Sequence, residues 1–181
     1  MTQTSTFRLV LTALFTALIV AGSYLAIPFI PVPLALANFF VLLAGLMLGP
    51  LYGGAAVLLY LVLGSLGLPV FAGGSGGFGH FASPTGGFLL GYLLSALVAG
   101  LVAHGWRTGG ARPGLARLAV AAVLGLAALY ALGLPWLRMV LPAKVPTLWA
   151  ACLLMAPYMV GDLVKAAAAA LLGRKLQTLL P

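Results

Sequence analysis

Hydrophobic residues run through this chain in long blocks, and the breaks between blocks are built largely from glycine and proline. Residues 7–27 form a first block of about twenty residues, long enough to cross a ~30 Å hydrocarbon core as a helix. Pro28, Pro31 and Pro33 end it. Residues 34–48 form a second block, left at Gly49-Pro50, and 51–66 a third; so short a connection makes these two antiparallel neighbours. A fourth block, 88–106, carries Gly91 and Gly100 for close packing, and a fifth, 118–134, gives way to a looser region punctuated by Pro135, Pro142 and Pro146. Residues 157–176 make the sixth. The pattern predicts an all-α integral membrane protein with six transmembrane helices in a single membrane domain, 1–181.

The start of the last helix decides where its charges lie. Begun at Thr147, it would bury Asp162 about 22 Å along its axis; begun with Pro157 in its first turn, it puts Asp162 about 8 Å and Lys165 about 12 Å from that end. The second arrangement costs the charges less and is the expectation taken, with 147–155 as a short extra helix over the mouth.

Between the third and fourth blocks, residues 68–87 cannot hold a regular helix, with glycines at 73, 74, 76, 77, 79, 86 and 87 and prolines at both ends. A loop of this length is functional or disordered, and Phe71, Phe78 and Phe81 argue for a folded lid. No lysine follows the glycines, so it is not a Walker phosphate loop.

Composition agrees: 64% of residues are hydrophobic, 6% charged, and mean hydropathy is +1.21, against about 25% charged in soluble domains. The net charge of +8 comes from basic residues scattered at helix ends, not from a nucleic-acid-binding patch. Cys152 is the single cysteine, and His80 and His104 stand apart, so neither a disulfide nor a metal site is expected. The first block is too long for a signal-peptide core and reads as a span. Arg8, Arg107, Arg112, Arg117, Arg174 and Lys175 fall on the side of the termini and Arg138 and Lys144 opposite, which places both termini in the cytoplasm.

The lid, the connections after the first and fifth blocks, Asn38 and the Asp162 end of the last helix therefore gather at the external face. Asp162 is the only acidic residue of the chain, and Lys165 projects from nearly the same helix face. Ionisable groups in a membrane helix face a partner or a cavity. The pair is either an internal salt bridge or part of a site; Asn38 either meets a ligand or satisfies a neighbouring backbone group. With one carboxylate and no base-oriented nucleophile, catalysis lacks its parts, and no nucleotide motif exists to power transport. What remains is capture of a small, partly apolar molecule with hydrogen-bonding groups, between Asp162, Lys165, Asn38, glycine backbone and rings such as Phe71 and Tyr158. Ala13, Ala17 and Ala21 form a strip of small residues suited either to packing within the bundle or to docking another membrane helix.

The chain closely resembles the BioY family, the biotin-specific substrate-binding (S) components of energy-coupling factor (ECF) transporters. The resemblance rests on Val32-Pro33 with Phe39-Phe40 through Gly45 to Gly49-Pro50, on Gly67-Leu68-Pro69-Val70-Phe71-Ala72-Gly73-Gly74 with Pro84-Thr85-Gly86-Gly87, and on Gly161-Asp162 with Lys165. Ala37-Asn38 stands where the family has Gln-Thr, and Ser83 where glycine precedes Pro-Thr. The resemblance implies an S-component fold in the cell membrane of a prokaryote, and biotin as ligand with no cofactor. It also implies coupling to a transmembrane T component and two cytoplasmic ATPases. Asp162 and Lys165 would contact the biotin head group, helped by Gly73, Gly74 and Ser75, and the Ala13, Ala17, Ala21 strip would dock on the T component within the lipid. The other classes open to the residues are a self-contained proton-coupled carrier, an S component for a different vitamin, and a structural membrane subunit.

Overall fold

The computed structural model describes residues 3–27, 32–105 and 113–179, with side chains described from Thr6 to Gln177. Helix α1 spans Gln3–Tyr24. A two-residue antiparallel ribbon then pairs β1 (Ala26–Ile27) with β2 (Leu34–Ala35) and leads into α2, Ala37–Ser65. The glycine-rich segment follows, with a short 3-10 helix at Phe78–Ala82, and then α3 (Gly86–His104), α4 (Leu115–Val140) and α5 (Leu148–Leu179). All five α-helices are long and apolar enough to cross a membrane. Each packs on the next in sequence, and α5 also returns to α2.

The second and third hydrophobic blocks fall in one helical element, broken at Gly49. Gly49 has φ 75°, which L side chains rarely adopt, and Pro50 follows without an N–H to donate. Beyond the break the chain folds back on itself: a Cβ on Gly53 would sit 2.8 Å from the Ala44 carbonyl oxygen. The Leu46 carbonyl, whose helical donor would have been Pro50, instead accepts from His104 Nε2 (2.7 Å) and Gln177 Nε2 (3.2 Å), tying α3 and α5 to the turn. Small residues set the spacing elsewhere. Gly45 lies against the Ala96 carbonyl, Gly91 against that of Leu129, and Gly100 against the backbone of Gly49 and Pro50. The two glycines expected to permit close packing do so.

Several boundaries differ from expectation. α1 ends at Tyr24, because Ala26–Ile27 pair with β2 while the Leu36 N–H donates to Gly22 and Leu25 carbonyls. Pro28 and Pro31 lie outside the described residues, as do Trp106, Arg107 and Arg112. α2 begins at Ala37 because Leu34–Ala35 belong to the ribbon. α4 starts earlier and runs through Pro135 to Val140, with Leu137 fully buried, so the loose region is confined to 141–147. α5 is one helix from Leu148, with Pro157 in its interior, and the separate short helix at 147–155 does not form. Thr147 explains this: its Oγ1 accepts from the Ala150 N–H (3.1 Å), a side-chain cap that starts the helix ten residues before Pro157. Asp162 consequently lies about 21 Å along α5, not 8 Å.

On α1 the inner stripe is Thr12, Phe15, Thr16, Ile19 and Ser23, with Thr16 Oγ1 donating to the Ala56 carbonyl at 3.0 Å. Ala13, Ala17 and Ala21 are exposed on the outward side, away from that buried stripe. At the opposite end from the site, Arg117 Nε donates to the Val102 carbonyl in the last turn of α3, and Arg174 donates to the Pro113 carbonyl.

Candidate functional site

Asp162 and Lys165 face inward from α5 and form a 2.9 Å ion pair. Three residues is less than one helical turn, so the ammonium reaches back along its own helix to the carboxylate while its stem leans toward α2. There Lys165 Nζ also donates to the Ala35 carbonyl (2.8 Å) and to Asn38 Oδ1 (3.2 Å). The three N–H groups of the ammonium are thus all committed. Asp162 is 5% exposed; its Oδ1 accepts from Lys165, and its Oδ2 accepts from the Tyr130 hydroxyl of α4 at 2.7 Å. A carboxylate offers about four lone-pair positions, so roughly two have no partner among the described residues. The Asn38 amide nitrogen has no partner among the described residues.

Although Asp162 lies deep along α5, Asn38 is the second residue of α2 and Phe88 the third of α3. α4 and α5 extend beyond the site level, and the pair sits near the mouth formed by α2, α3 and the ribbon. The chamber there is partly open, with a cavity volume of about 40 Å³, and is lined by Asp162, Lys165, Asn38, Tyr130, Tyr158 and Met155 together with apolar walls from Pro33, Phe88 and Leu129. A second chamber, with a cavity volume of about 30 Å³, adjoins it, the two sharing Val32, Pro33, Ala35, Phe88 and Tyr92. Its outer wall is the glycine-rich segment, through Phe71, Ala72, His80 and Thr85.

That segment is folded. The Phe71 N–H donates to Ser75 O (2.8 Å), the Gly74 N–H returns to Phe71 O (3.0 Å), and Gly73 and Gly74 turn the chain with φ of 73° and 72°. Phe71 is 1% exposed, wedged between Tyr60, His80 and Phe81. Gly77 N–H to Gly64 O (2.7 Å), Trp136 Nε1 to Ser83 O (3.0 Å) and the Tyr24 hydroxyl to the Pro69 carbonyl fasten it to α2, α4 and α1.

Of the residues singled out from sequence, Asp162, Lys165, Asn38 and Tyr158 share the first chamber and Phe71 lines the second. Gly73, Gly74 and Ser75 line neither; Ser75 Oγ donates to Ala72 O (2.9 Å) and lies 3.2 Å from His80 Nε2. Sequence reasoning passed over Tyr130, Tyr92, His80 and the Ala35 carbonyl. Tyr130 lay unremarked in an apolar span, where one hydroxyl aimed at the only acid in the chain was the available signal. The Ala35 carbonyl is backbone, so no residue type announces it. Among the described residues no group of His, Cys, Asp or Glu could hold a metal ion.

A multi-pass, all-helical membrane protein with a buried polar floor beside a folded glycine-rich segment is, by class, a small-molecule binder of the transporter type. The BioY family pattern matches residues 1–181, and the chain belongs to that family. It is 42% identical to the biotin transporter BioY of Rhizobium etli over 94% of this chain and 92% of that one, and 39% identical to the biotin transporter BioY of Thermotoga maritima over 95% and 96%. In structure it is similar to the S-component for biotin from an ECF-type ABC transporter, with a TM-score of 0.84, 28% identity, and coverage of 98% of this chain and 95% of that one.

Proposed function

We propose that this protein captures biotin at the external face of the membrane and serves biotin uptake as the S component of an ATP-driven ECF transporter. The observation that carries the reading is the unused bonding capacity of the first chamber. Two acceptor positions on Asp162 and an amide N–H group on Asn38, all without a partner among the described residues, match the two N–H groups and one carbonyl of a cyclic urea. The surrounding rings and aliphatic walls suit the apolar remainder of such a molecule. Gly73, Gly74 and Ser75 act from the lid, shaping the wall that Phe71 and His80 present.

The two halves of α2 each cross the bilayer, giving six crossings. The termini lie in the cytoplasm of a prokaryotic cell, supported by Arg8, Arg117, Arg174 and Lys175 at that end against Arg138 and Lys144 at the other. The outward Ala13, Ala17, Ala21 strip docks a transmembrane T component, which two cytoplasmic ATPases drive. Isothermal titration of the detergent-solubilised protein with biotin tests the reading: one molecule bound tightly per chain is the expected result, and no heat or retention of biotin would overturn it.

Tyr130→Phe removes the hydroxyl from Asp162 and leaves the ring against Phe88, where the centroids are 5.9 Å apart. Hydrogen bonds to charged groups contribute about 1.5–3 kcal/mol, so biotin affinity should fall between tenfold and a hundredfold in the same titration.

A further inference from the structure

The first chamber balances its own charge: Lys165 and Asp162 pair at 2.9 Å and leave no net charge for an anionic ligand group. An anion placed beside Asp162 meets like-charge repulsion, strengthened by the low dielectric of a buried site. The acid end of a ligand is therefore better accommodated elsewhere, and the adjoining chamber shares the Phe88 and Tyr92 wall with the first. Among the residues lining that second chamber, His80 is the one that can become cationic.

Its ring is already oriented. It stacks on Phe71 at 5.5 Å, and its Nε2 lies 3.2 Å from Ser75 Oγ. The Ser75 hydroxyl donates its own hydrogen to Ala72 O, so at His80 it accepts, and Nε2 carries the proton. Nδ1 has no partner among the described residues. A ligand carboxylate arriving there would favour protonation of Nδ1 and form a charge-assisted bond with it. Tyr92, whose hydroxyl likewise has no partner among the described residues, stands where the two chambers meet.

Resting on the biotin reading above, we infer that the chamber under the glycine-rich lid is a subsite for the carboxylate-bearing tail of the ligand, with His80 as its anion partner and Ser75 as the residue that positions the imidazole. The test compares biotin with its neutral primary amide on wild-type protein and on His80→Gln, by titration at one pH. Wild type should prefer the acid by about tenfold or more, the range expected of a charge-assisted hydrogen bond, and His80→Gln should bring the ratio close to one, whatever it does to the affinity of the two compounds in common. A wild-type ratio near one overturns the subsite without any variant, and a preference that survives His80→Gln overturns the assignment to His80. Failure of wild type to bind either compound overturns the biotin reading itself.

Discussion

Asp162→Asn should weaken biotin binding by at least about a hundredfold, and Lys165→Met should weaken it further. The carboxamide keeps the shape of Asp162 but replaces an anionic acceptor with a neutral one, removing the charge assistance that makes such bonds about twice as strong as neutral ones. It also leaves the Lys165 ammonium with neutral acceptors only, among them the Ala35 carbonyl and Asn38 Oδ1. Lys165→Met does more damage, since it strands a carboxylate that is 5% exposed with Tyr130 as its remaining described donor. Breaking a buried ion pair from one side costs on the order of 3–5 kcal/mol, so both single variants should also melt earlier.

The double variant, Asp162→Asn with Lys165→Met, separates the two roles a buried pair can have. No stranded charge remains in it, and thermal stability should return most of the way to wild type, as buried pairs replaced by neutral groups commonly allow. Binding should not return, because the anionic acceptor for ligand N–H groups is gone. Titration and thermal melting on the four proteins decide the matter; a double variant that binds biotin like wild type would mean that the pair serves only helix packing.

The polar floor was legible because the chain offers so few polar residues. One acid, one lysine three residues on and one asparagine at a helix mouth stand out against an apolar background, and the structure brings the acid and the asparagine within 3.2 Å of the lysine ammonium. The placement of the floor was less legible. A proline within a hydrophobic run marks either a helix start or a tolerated interruption, and the choice turned on Thr147, a weaker sequence signal whose hydroxyl caps α5. Pro135 posed the same ambiguity, resolved by the burial of Leu137 beyond it. The polar floor is nevertheless close to a mouth, because α2 and α3 begin at its level whereas α4 and α5 overshoot it. Relative helix length beyond a common plane is a tertiary property that hydrophobic periodicity does not encode. His80 was hidden for a related reason: as one histidine in a glycine-rich loop it matched no motif, and its meaning comes from the chamber that the folded loop closes.

Enlarging the strip on α1 should separate binding from uptake. Ala17→Leu puts a branched side chain on a surface where the described neighbours on the strip, Ala13 and Ala21, are methyl groups, and all three face away from the bundle. All three are exposed, whereas Phe15, Ile19 and Ser23 are buried on the other side of α1, so packing on α2 should be little disturbed and biotin affinity should match wild type. Docking is another matter. In lipid there is little hydrophobic gain from pairing two apolar helices, and association relies on close backbone approach and dense van der Waals contact, which small residues permit. A leucine at the centre of the strip holds the partner helix off, forfeiting contacts along several turns, and the loss is larger for Ala13→Leu with Ala17→Leu and Ala21→Leu combined. Biotin uptake in cells carrying the T component and ATPases should therefore fall to background in the triple variant, with co-purification of the T component lost in parallel. Uptake at the wild-type rate would show that the docking face lies elsewhere, and the exposed alanines of α1 would then simply face lipid.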